Sequence, residues 1–320
     1  LFSCTDKFEE SFEILLDFVQ DPYFTPETVA KEQGIIGQEI KMYDDSPDWR
    51  VMFNMLENMY HNHPVKIDIA GTVESIAEIT AEKLYDCYNA FYNLNNMALC
   101  VAGNVTVDQV LKICDKMLKP CEAHKITNYF EDEPYEIVEP YVEQSFPVMV
   151  PLFNLGFKEK PGHIDEKKLA QTDILLFMLA SNTSELYRKL MDENLINSTF
   201  SYELFEGPGY CSVIFGGESR APKRAAEMIK QYIADVKKNG LSKEDFEIAK
   251  KAVYGDISML DNVSTIANSI ESHHFNGNEL FKYFDAVADT KFEDITARLD
   301  EMLDVNNCTL SVVKPEDTEV

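Results

Sequence analysis

Apolar residues in the first forty positions repeat with the period of an α-helix. One helical face carries Phe8, Phe12, Leu15, Leu16 and Val19, and a second carries Val29, Ile36, Ile40 and Tyr43. Thr25 and Pro26 lie between the two faces. A Thr-Pro pair is a typical helix start, because the threonine side chain can cap free backbone N–H groups and proline fits the first helical position. The pattern therefore predicts two helices joined by a short turn.

The same pattern occurs again further along the chain, at a constant offset in residue number. In this register Leu16 corresponds to Ile233, and the capping residue Thr25 corresponds to Ser242. The register holds without a gap from residue 8 to residue 42, so residues 225–259 should form a matching helix pair. Because the caps and the apolar stripes agree together, we expect a tandem duplication, with a period far too long for a solenoid repeat.

The remaining pattern predicts the other elements and the domain boundaries. Further helices are expected at Trp49–Tyr60, Glu78–Tyr92 and Val107–Leu118, and a buried strand at Met97–Ala102. Residues 124–145 are acidic and lack helical periodicity, which indicates a linker. Residues 1–123 should then be the C-terminal part of a first unit, and residues 146–320 a complete second unit.

The second unit opens with elements that have no counterpart in the first. They are a strand at Val148–Phe157, a helix at Leu169–Asn182 and a hairpin at Thr199–Phe215 that turns at residues 207–209. Shifting these elements back by the repeat offset puts their first-unit copies before Leu1. We therefore expect the first unit to be incomplete in this chain.

Composition narrows the possible partners. The formal net charge is −27, with 29 basic and 56 acidic residues, which disfavours nucleic acid and anionic membranes because both bind clustered Lys and Arg. No apolar run approaches the roughly 18 residues of a membrane-spanning helix. The seven cysteines include no C-x-x-C pair, so we interpret them as reduced, buried thiols of a cytoplasmic protein.

Few residues could carry chemistry. Glu32 and Glu39 are two helical turns apart and border the apolar stripe, so they point the same way. They are either a solvated helix edge or part of a metal or proton site that takes ligands from elsewhere. The pairs His61-x-His63 and His273-His274 are better explained by packing or surface positions than by metal binding. The sequence contains no H-E-x-x-H, Walker or G-x-S-x-G motif.

The segment Thr25–Asp45, which carries Glu32 and Glu39, resembles the glutamate-bearing helix of the insulinase/pitrilysin-like zinc peptidases. Other positions match the same family: His63-Pro64, Ala70-Gly71-Thr72, Ile76, Ile79-Thr80, Phe91-Tyr92 and Asn96-Met97. The similarity covers essentially the whole chain and is greatest to the bacterial, YmfH-like processing peptidases. It implies an α+β fold of two similar units, each a mainly antiparallel sheet packed with helices.

In that family zinc is held by two histidines of an inverted H-x-x-E-H helix and by a distal glutamate. The resemblance implies that Glu39 is this metal ligand and that Glu32 supports it without touching the metal. Helix Leu169–Asn182 corresponds to the H-x-x-E-H helix of the second, non-catalytic unit, and the active copy would precede Leu1. We therefore expect zinc in the intact protein, weak or absent zinc binding by this chain alone, and no catalytic residue within it.

Active members also place an Arg and a Tyr, seven positions apart, against the substrate. The matching positions here are Met191 and Ser198, so either the alignment shifts by a position or two or a partner supplies both groups. The implied function is a zinc metalloendopeptidase subunit that cuts peptides in a closed chamber, as a homo- or hetero-dimer with a homologous subunit. The alternatives are a non-catalytic structural subunit and a peptide-binding module that uses a sheet edge.

Overall fold

A computed structural model of the chain describes residues 1–123, 125–258 and 262–316. Backbone contacts divide the chain into two units. The first unit contains Leu1–Lys41, Gly71–Tyr129 and Leu260–Phe275, and the second contains Met42–Ala70, Phe130–Met259 and Asn276–Val320. This division follows contacts rather than sequence similarity, and the repeat boundary at residues 124–145 stays a prediction. Residues 124, 259–261 and 317–320 of the predicted domains lie outside the described residues.

The described residues contain long helices throughout and strands from residue 141 onward. The helices, in chain order, are α1 Phe8–Gln20, α2 Pro26–Asp44, α3 Pro47–Met59, α4 Val73–Ala77, α5 Ala81–Phe91, α6 Val107–Met117, α7 Glu166–Ala180, α8 Glu185–Asp192, α9 Pro222–Asn239, α10 Lys243–Ser258, α11 Val263–Phe275, α12 Leu280–Asp289 and α13 Phe292–Glu301. The strands are β1 Tyr141–Phe146, β2 Leu152–Lys158, β3 Ser201–Gly207, β4 Tyr210–Glu218 and β5 Cys308–Pro315. The α+β class expected from the sequence is confirmed.

The strands form one sheet in the second unit, in the order β1-β5-β2-β4-β3. Neighbouring strands are antiparallel except β1 and β5, which run parallel. Alternate residues of β2 point to opposite faces, as strand geometry requires. Phe153, Leu155 and Phe157 join the main core with α7, while Leu152 packs with Val51 of α3 on the other face. The sheet is therefore covered by helices on both faces.

In the first unit, α1 packs against α6. Phe12 and Leu16 are buried together with Ile113 and Cys114, and this small cluster is the buried apolar core described for this unit. At its edge, Tyr88 donates a hydrogen bond to the carbonyl oxygen of Val19 at 2.8 Å. The first unit is thus a layer of helices, whereas the second is a helix-covered sheet.

The duplicated helix pairs are confirmed as helices. Helix α2 begins at Pro26 and α10 begins at Lys243, which are equivalent positions in the repeat register. Both are capped in the same way. The Thr25 hydroxyl accepts a hydrogen bond from the Thr28 N–H at 3.1 Å, and the Ser242 hydroxyl accepts one from the Asp245 N–H at 3.2 Å. Residue 259, at the end of the predicted match, lies outside the described residues, and superposition of the two pairs stays a prediction.

The strand predicted at Met97–Ala102 is wrong. This segment is extended, but it joins no strand in the part of the chain that the structure describes. A strand needs a neighbour for its backbone groups, and the local sequence pattern cannot reveal whether one exists. The Cys100 N–H instead donates to the Glu271 carboxylate at 3.1 Å, and the segment is half-buried to exposed.

Smaller differences have local causes. The helix expected from Glu78 begins at Ala81, because Thr80 caps it by accepting a hydrogen bond from the Lys83 N–H at 3.2 Å. Strand β1 occupies the last residues of the predicted linker and was missed, and β2 begins at Leu152 rather than Val148.

The structure also tests the predictions made for the cysteines and for membrane-spanning segments. All seven cysteines are free, but burial was predicted wrongly for Cys4, Cys87 and Cys121, which are exposed. Within residues 1–123, 125–258 and 262–316, no helix is long and apolar enough to cross a membrane.

Candidate functional site

Helix α2 carries the two carboxylates singled out by the sequence. One side of the helix is covered: Val29 and Ile40 are buried, and the Gln33 amide donates to the carbonyl oxygens of Ile76 and Ile79 at 3.0 and 2.8 Å. These contacts hold α2 against the last turn of α4 and the residues directly after it.

Side chains on the other side of α2 are largely exposed. Glu32 and Glu39 are both exposed, and Ile35, which lies between them, exposes 51% of its surface. An exposed isoleucine next to two carboxylates is ordinary on its own. The second repeat, however, shows what this helix face does when it is packed.

Each position of α2 has a counterpart in α10 in the repeat register. The counterpart of Glu32 is Ala249, which is 1% exposed, and the counterpart of Ile36 is Val253, which is also buried. Helix α10 packs against α7 and α12. Position 32 is therefore core-facing in the second repeat, whereas the counterpart of Glu39, Asp256, is exposed.

A carboxylate at a core-facing position has a physical consequence. Burying it without a partner would cost several kcal/mol, typically forcing neutralisation or pairing. The exposure of Glu32 is thus tied to the absence of an α7-like helix over α2 among the described residues. The two interpretations left open by the sequence, a solvated helix edge and a site that takes partners from elsewhere, both stay predictions.

The described residues do not complete a metal site. Within residues 1–123, 125–258 and 262–316, no three His, Cys, Asp or Glu side chains come together in a way that could hold a metal ion. The chemistry of Glu39 fits a single zinc ligand, since carboxylate oxygen is a normal zinc donor and catalytic zinc needs three protein ligands. The roles of Glu39 and Glu32 stay predictions.

The histidine pair in the loop after α3 consists of an exposed His61 and an inward-facing His63. His63 is buried and stacks on Phe130 with ring centroids 4.8 Å apart. Its Nδ1 accepts a hydrogen bond from the Val65 N–H, and its Nε2 lies 3.0 Å from the Pro208 carbonyl oxygen. Both ring nitrogens are engaged, which agrees with the packing role expected from the sequence.

The same loop binds a buried ion pair that the sequence did not reveal. The backbone N–H groups of His61, Asn62 and His63 donate to the Glu133 carboxylate at 2.7–2.8 Å, and Lys158 pairs with it at 2.6 Å. Burial opposes ionisation of Glu133, but these hydrogen bonds outweigh it and hold its pKa at about 2.

Helix α7 has the position of the H-x-x-E-H helix in the second repeat but none of its chemistry. It is buried on almost all sides, and its one core carboxyl group, Asp173, accepts a hydrogen bond from Tyr283. Burial raises the pKa of Asp173 to about 6. The α7 sequence contains no histidine.

The positions matched to the substrate-binding Arg and Tyr are also exposed. Met191 lies near the end of α8 with 38% of its surface exposed, and Ser198 lies in the turn before β3. Neither side chain is cationic, and neither carries a phenol.

A groove of about 810 Å³ lies within the first unit beside the extended segment 97–105. Its walls are mainly apolar and include Leu15 and Val19 of α1 and Ala267 and Phe275 of α11. In the second repeat the counterpart of α1 is α9, which packs against β2 and β5. The groove therefore lies along the face of α1 that its counterpart uses to contact a sheet.

Two family models match adjacent parts of the chain. Residues 2–73 match "Insulinase (Peptidase family M16)", and residues 78–253 match "Peptidase M16 inactive domain". The second match alone covers more than half of the chain. The chain belongs to peptidase family M16. This confirms the resemblance drawn from the helix that bears Glu32 and Glu39.

Individual relatives agree with the family. The chain is 35% identical to YmfH of Bacillus subtilis, named as a zinc protease, over 99% of this chain and 76% of YmfH. It is 22% identical to a Helicobacter pylori protein named "Non-peptidase homolog YmxG", over 84% of this chain and 63% of that protein. A crystal structure of an M16-like peptidase from Alicyclobacillus acidocaldarius superposes with a TM-score of 0.92 at 33% identity, covering 98% of this chain and 76% of that one. The chain thus spans about two thirds to three quarters of these relatives, which include both protease and non-peptidase names.

Proposed function

We propose that this chain is part of a zinc metalloendopeptidase subunit in which Glu39 is one of the metal ligands and Glu32 supports it. The observation that carries the proposal is the exposed carboxylate Glu32 at a position that is buried in the second repeat, with Glu39 two turns further along α2. Their counterparts on α10, Ala249 and the exposed Asp256, belong to a helix packed against α7. A helix placed on α2 as α7 is placed on α10 would bring its own side chains to Glu32 and Glu39.

The resemblance to active family members gives the chemistry of that second helix. An H-x-x-E-H sequence would add two histidine ligands and a general base. When bound, zinc polarises the scissile carbonyl and lowers the pKa of a bound water. Glu39 would hold the metal through a carboxylate oxygen. Glu32, two turns earlier, would not touch the metal. It would accept hydrogen bonds from groups around the site and so help to orient the metal ligands.

The substrate is proposed to be a peptide, cut inside a closed chamber of a cytoplasmic protein. Met191 and Ser198 cannot provide the Arg and Tyr that contact substrate in active relatives. The loss of such a transition-state donor typically costs roughly 10²–10³ in rate. A homologous subunit that carries Arg and Tyr would restore them, so we propose a dimer in which each subunit supplies part of the site.

A non-catalytic subunit of the same fold is the second candidate. The relative named as a non-peptidase homolog favours it. In that case the helix that covers α2 would lack the histidines, and Glu32 and Glu39 would find other partners.

The two candidates differ in zinc content and in peptidase activity. The test uses the polypeptide encoded by the complete gene, alone and mixed with its nearest paralogue. We compare wild type with Glu39→Gln, Glu32→Gln and, as a control on the same helix, Glu27→Gln, whose counterpart Glu244 is exposed.

The enzyme proposal expects one zinc per wild-type chain, loss of zinc and activity in Glu39→Gln, and a roughly 10- to 100-fold loss in Glu32→Gln. Glu27→Gln should behave as wild type. If the wild-type protein contains no zinc and shows no peptidase activity, either alone or mixed with its paralogue, the result would support the non-catalytic subunit. Full zinc occupancy in Glu39→Gln would contradict the proposed ligand.

A further inference from the structure

Glu159 is a carboxyl group buried at the end of β2, with 6% of its surface exposed. Its Oε1 accepts a hydrogen bond from the Leu303 N–H at 2.7 Å. Burial raises the pKa of Glu159 to about 7, although the Leu303 hydrogen bond and the charges of Arg298 and Lys237 oppose the shift. This carboxyl group therefore changes charge near neutral pH.

Its partner Leu303 has an unusual backbone. The φ angle of Leu303 is +60°, in the left-handed region that residues other than glycine seldom adopt, while its side chain is fully buried. Lys237 of α9 donates a hydrogen bond to the carbonyl oxygen of the preceding Met302 at 2.6 Å. The side chains of Glu159 and Lys237 thus each make one hydrogen bond to the backbone of this strained loop.

The loop of residues 302–305 also forms one wall of a cavity of about 630 Å³, next to α9. Directly after it, the Asn307 amide donates to the Tyr135 carbonyl oxygen at 2.9 Å, and its oxygen accepts from the Ile137 N–H at 3.0 Å. The loop is therefore followed closely by Asn307, whose hydrogen bonds connect residues 135–137 to the start of β5.

The charges around Glu159 compensate its ionised form poorly. Lys237 is engaged by Met302, and Arg298 donates to the Thr172 hydroxyl at 3.0 Å and pairs with Glu301 at 3.3 Å. The ionisable groups facing Glu159 from the surrounding elements are Lys237 of α9, Arg298 of α13, Asp304 of the loop, Tyr135 of the preceding segment and Cys211 of β4. Among the residues that the structure describes, none of these forms a direct ion pair with the Glu159 carboxylate.

We propose that Glu159 and the loop of residues 302–305 form a pH-sensitive latch, closed when Glu159 is neutral and released when Glu159 is ionised. A neutral carboxyl group suits the apolar site and still accepts the Leu303 hydrogen bond. An ionised one gains hydration by opening, and opening also lets Leu303 relax to an ordinary φ. The latch involves neither Glu39 nor zinc, so it stands or fails independently of the proposed peptidase activity.

The direction of the pH effect follows from linkage. In the open loop the Glu159 pKa returns toward 4.5, whereas in the closed loop it is about 7. The closed form is thus most favoured below pH 4.5, and the fraction open rises between pH 4.5 and about 7 and then levels off.

The test is amide hydrogen exchange of residues 302–306 at several pH values from 5 to 8, corrected for the intrinsic pH dependence of exchange. We expect the protection factor of the Leu303 amide to fall roughly tenfold or more across this range in wild type. In Glu159→Gln, which keeps an acceptor but cannot ionise, protection should not vary with pH. The matched control Glu227→Gln, at an exposed position of α9, should follow wild type.

Three results would overturn the latch. One is wild-type protection that does not change between pH 5 and 8, and another is the same pH dependence in Glu159→Gln. The third is a carboxyl ¹³C titration of Glu159 in wild type with a midpoint below pH 5, a measurement that needs no variant to fold.

Discussion

Helices α2 and α10 occupy the same register of the repeat, start at equivalent residues and carry equivalent caps, yet their packing differs. On α10, Ala249 and Val253 are buried beneath neighbouring helices. On α2, Glu32 is exposed and Ile36 is half-buried. The helices form in both repeats because their signals are local. Whether a helix face becomes core depends on the elements that other parts of a polypeptide bring to it.

The largest expected effect comes from exchanging the two residues at one repeat position. Ala249→Glu should destabilise the second unit by more than about 4 kcal/mol, because it buries an unpaired charge and adds volume in a packed core. Glu32→Ala should change stability by less than about 0.5 kcal/mol, because this position is exposed in the first unit. Urea unfolding of both variants measures the difference. Equal, small effects would mean that the two helices do not differ in packing at this position.

A second pair of substitutions compares glycines. Gly217 in β4 has a φ of +146°, and an added Cβ would lie 2.9 Å from the Phe200 backbone. Gly217→Ala should therefore cost about 1–3 kcal/mol. Gly37 in α2 has open space around it, so Gly37→Ala should stabilise the helix by about 0.5–1 kcal/mol. Thermal unfolding of both variants measures whether each substitution raises or lowers stability. Destabilisation by Gly37→Ala would show that α2 is packed at a place where the structure shows open space.

The sequence predicted features that are encoded locally and missed those that need distant partners. Thr25 and Ser242 start their helices through contacts with nearby residues of the same turn, so their pattern was readable. Met97–Ala102 reads as a strand, but its pairing depends on residues elsewhere. Lys158 and Glu133 form a buried ion pair. The sequence could not predict it, because Glu133 stands among several acidic residues and no local pattern distinguishes it from its neighbours. The left-handed backbone at Leu303 likewise has no sequence signal.

The next expected effect is a pH dependence of stability in the second unit. The folded pKa of Asp173 is about 6, above the usual 3.8, so the neutral form is favoured in the folded state. Its contribution to stability is complete below pH 3.8 and is lost as the pH rises to about 6. Between pH 4.5 and 6.5, wild type should lose about 1–2 kcal/mol relative to Asp173→Asn. Asp192→Asn, at an exposed position, serves as the control and should follow wild type in urea unfolding.

The comparison of the repeats also predicts how this chain behaves alone. With Glu39 as a single carboxylate ligand, the chain should bind zinc weakly and hydrolyse no peptide, because lone carboxylates select zinc poorly. Isothermal titration with zinc checks this directly. Tight one-to-one binding would mean that the chain already holds a full ligand set.

The zinc site proposed at Glu39 requires a helix that covers α2. The most direct measurement is a crystal structure of the polypeptide encoded by the complete gene, with an anomalous difference map at the zinc absorption edge. The account predicts a helix packed on α2 as α7 packs on α10, and a zinc peak about 2.0–2.2 Å from a carboxylate oxygen of Glu39. A zinc peak remote from Glu39, or an α2 whose Glu32 face remains open to solvent, would contradict it.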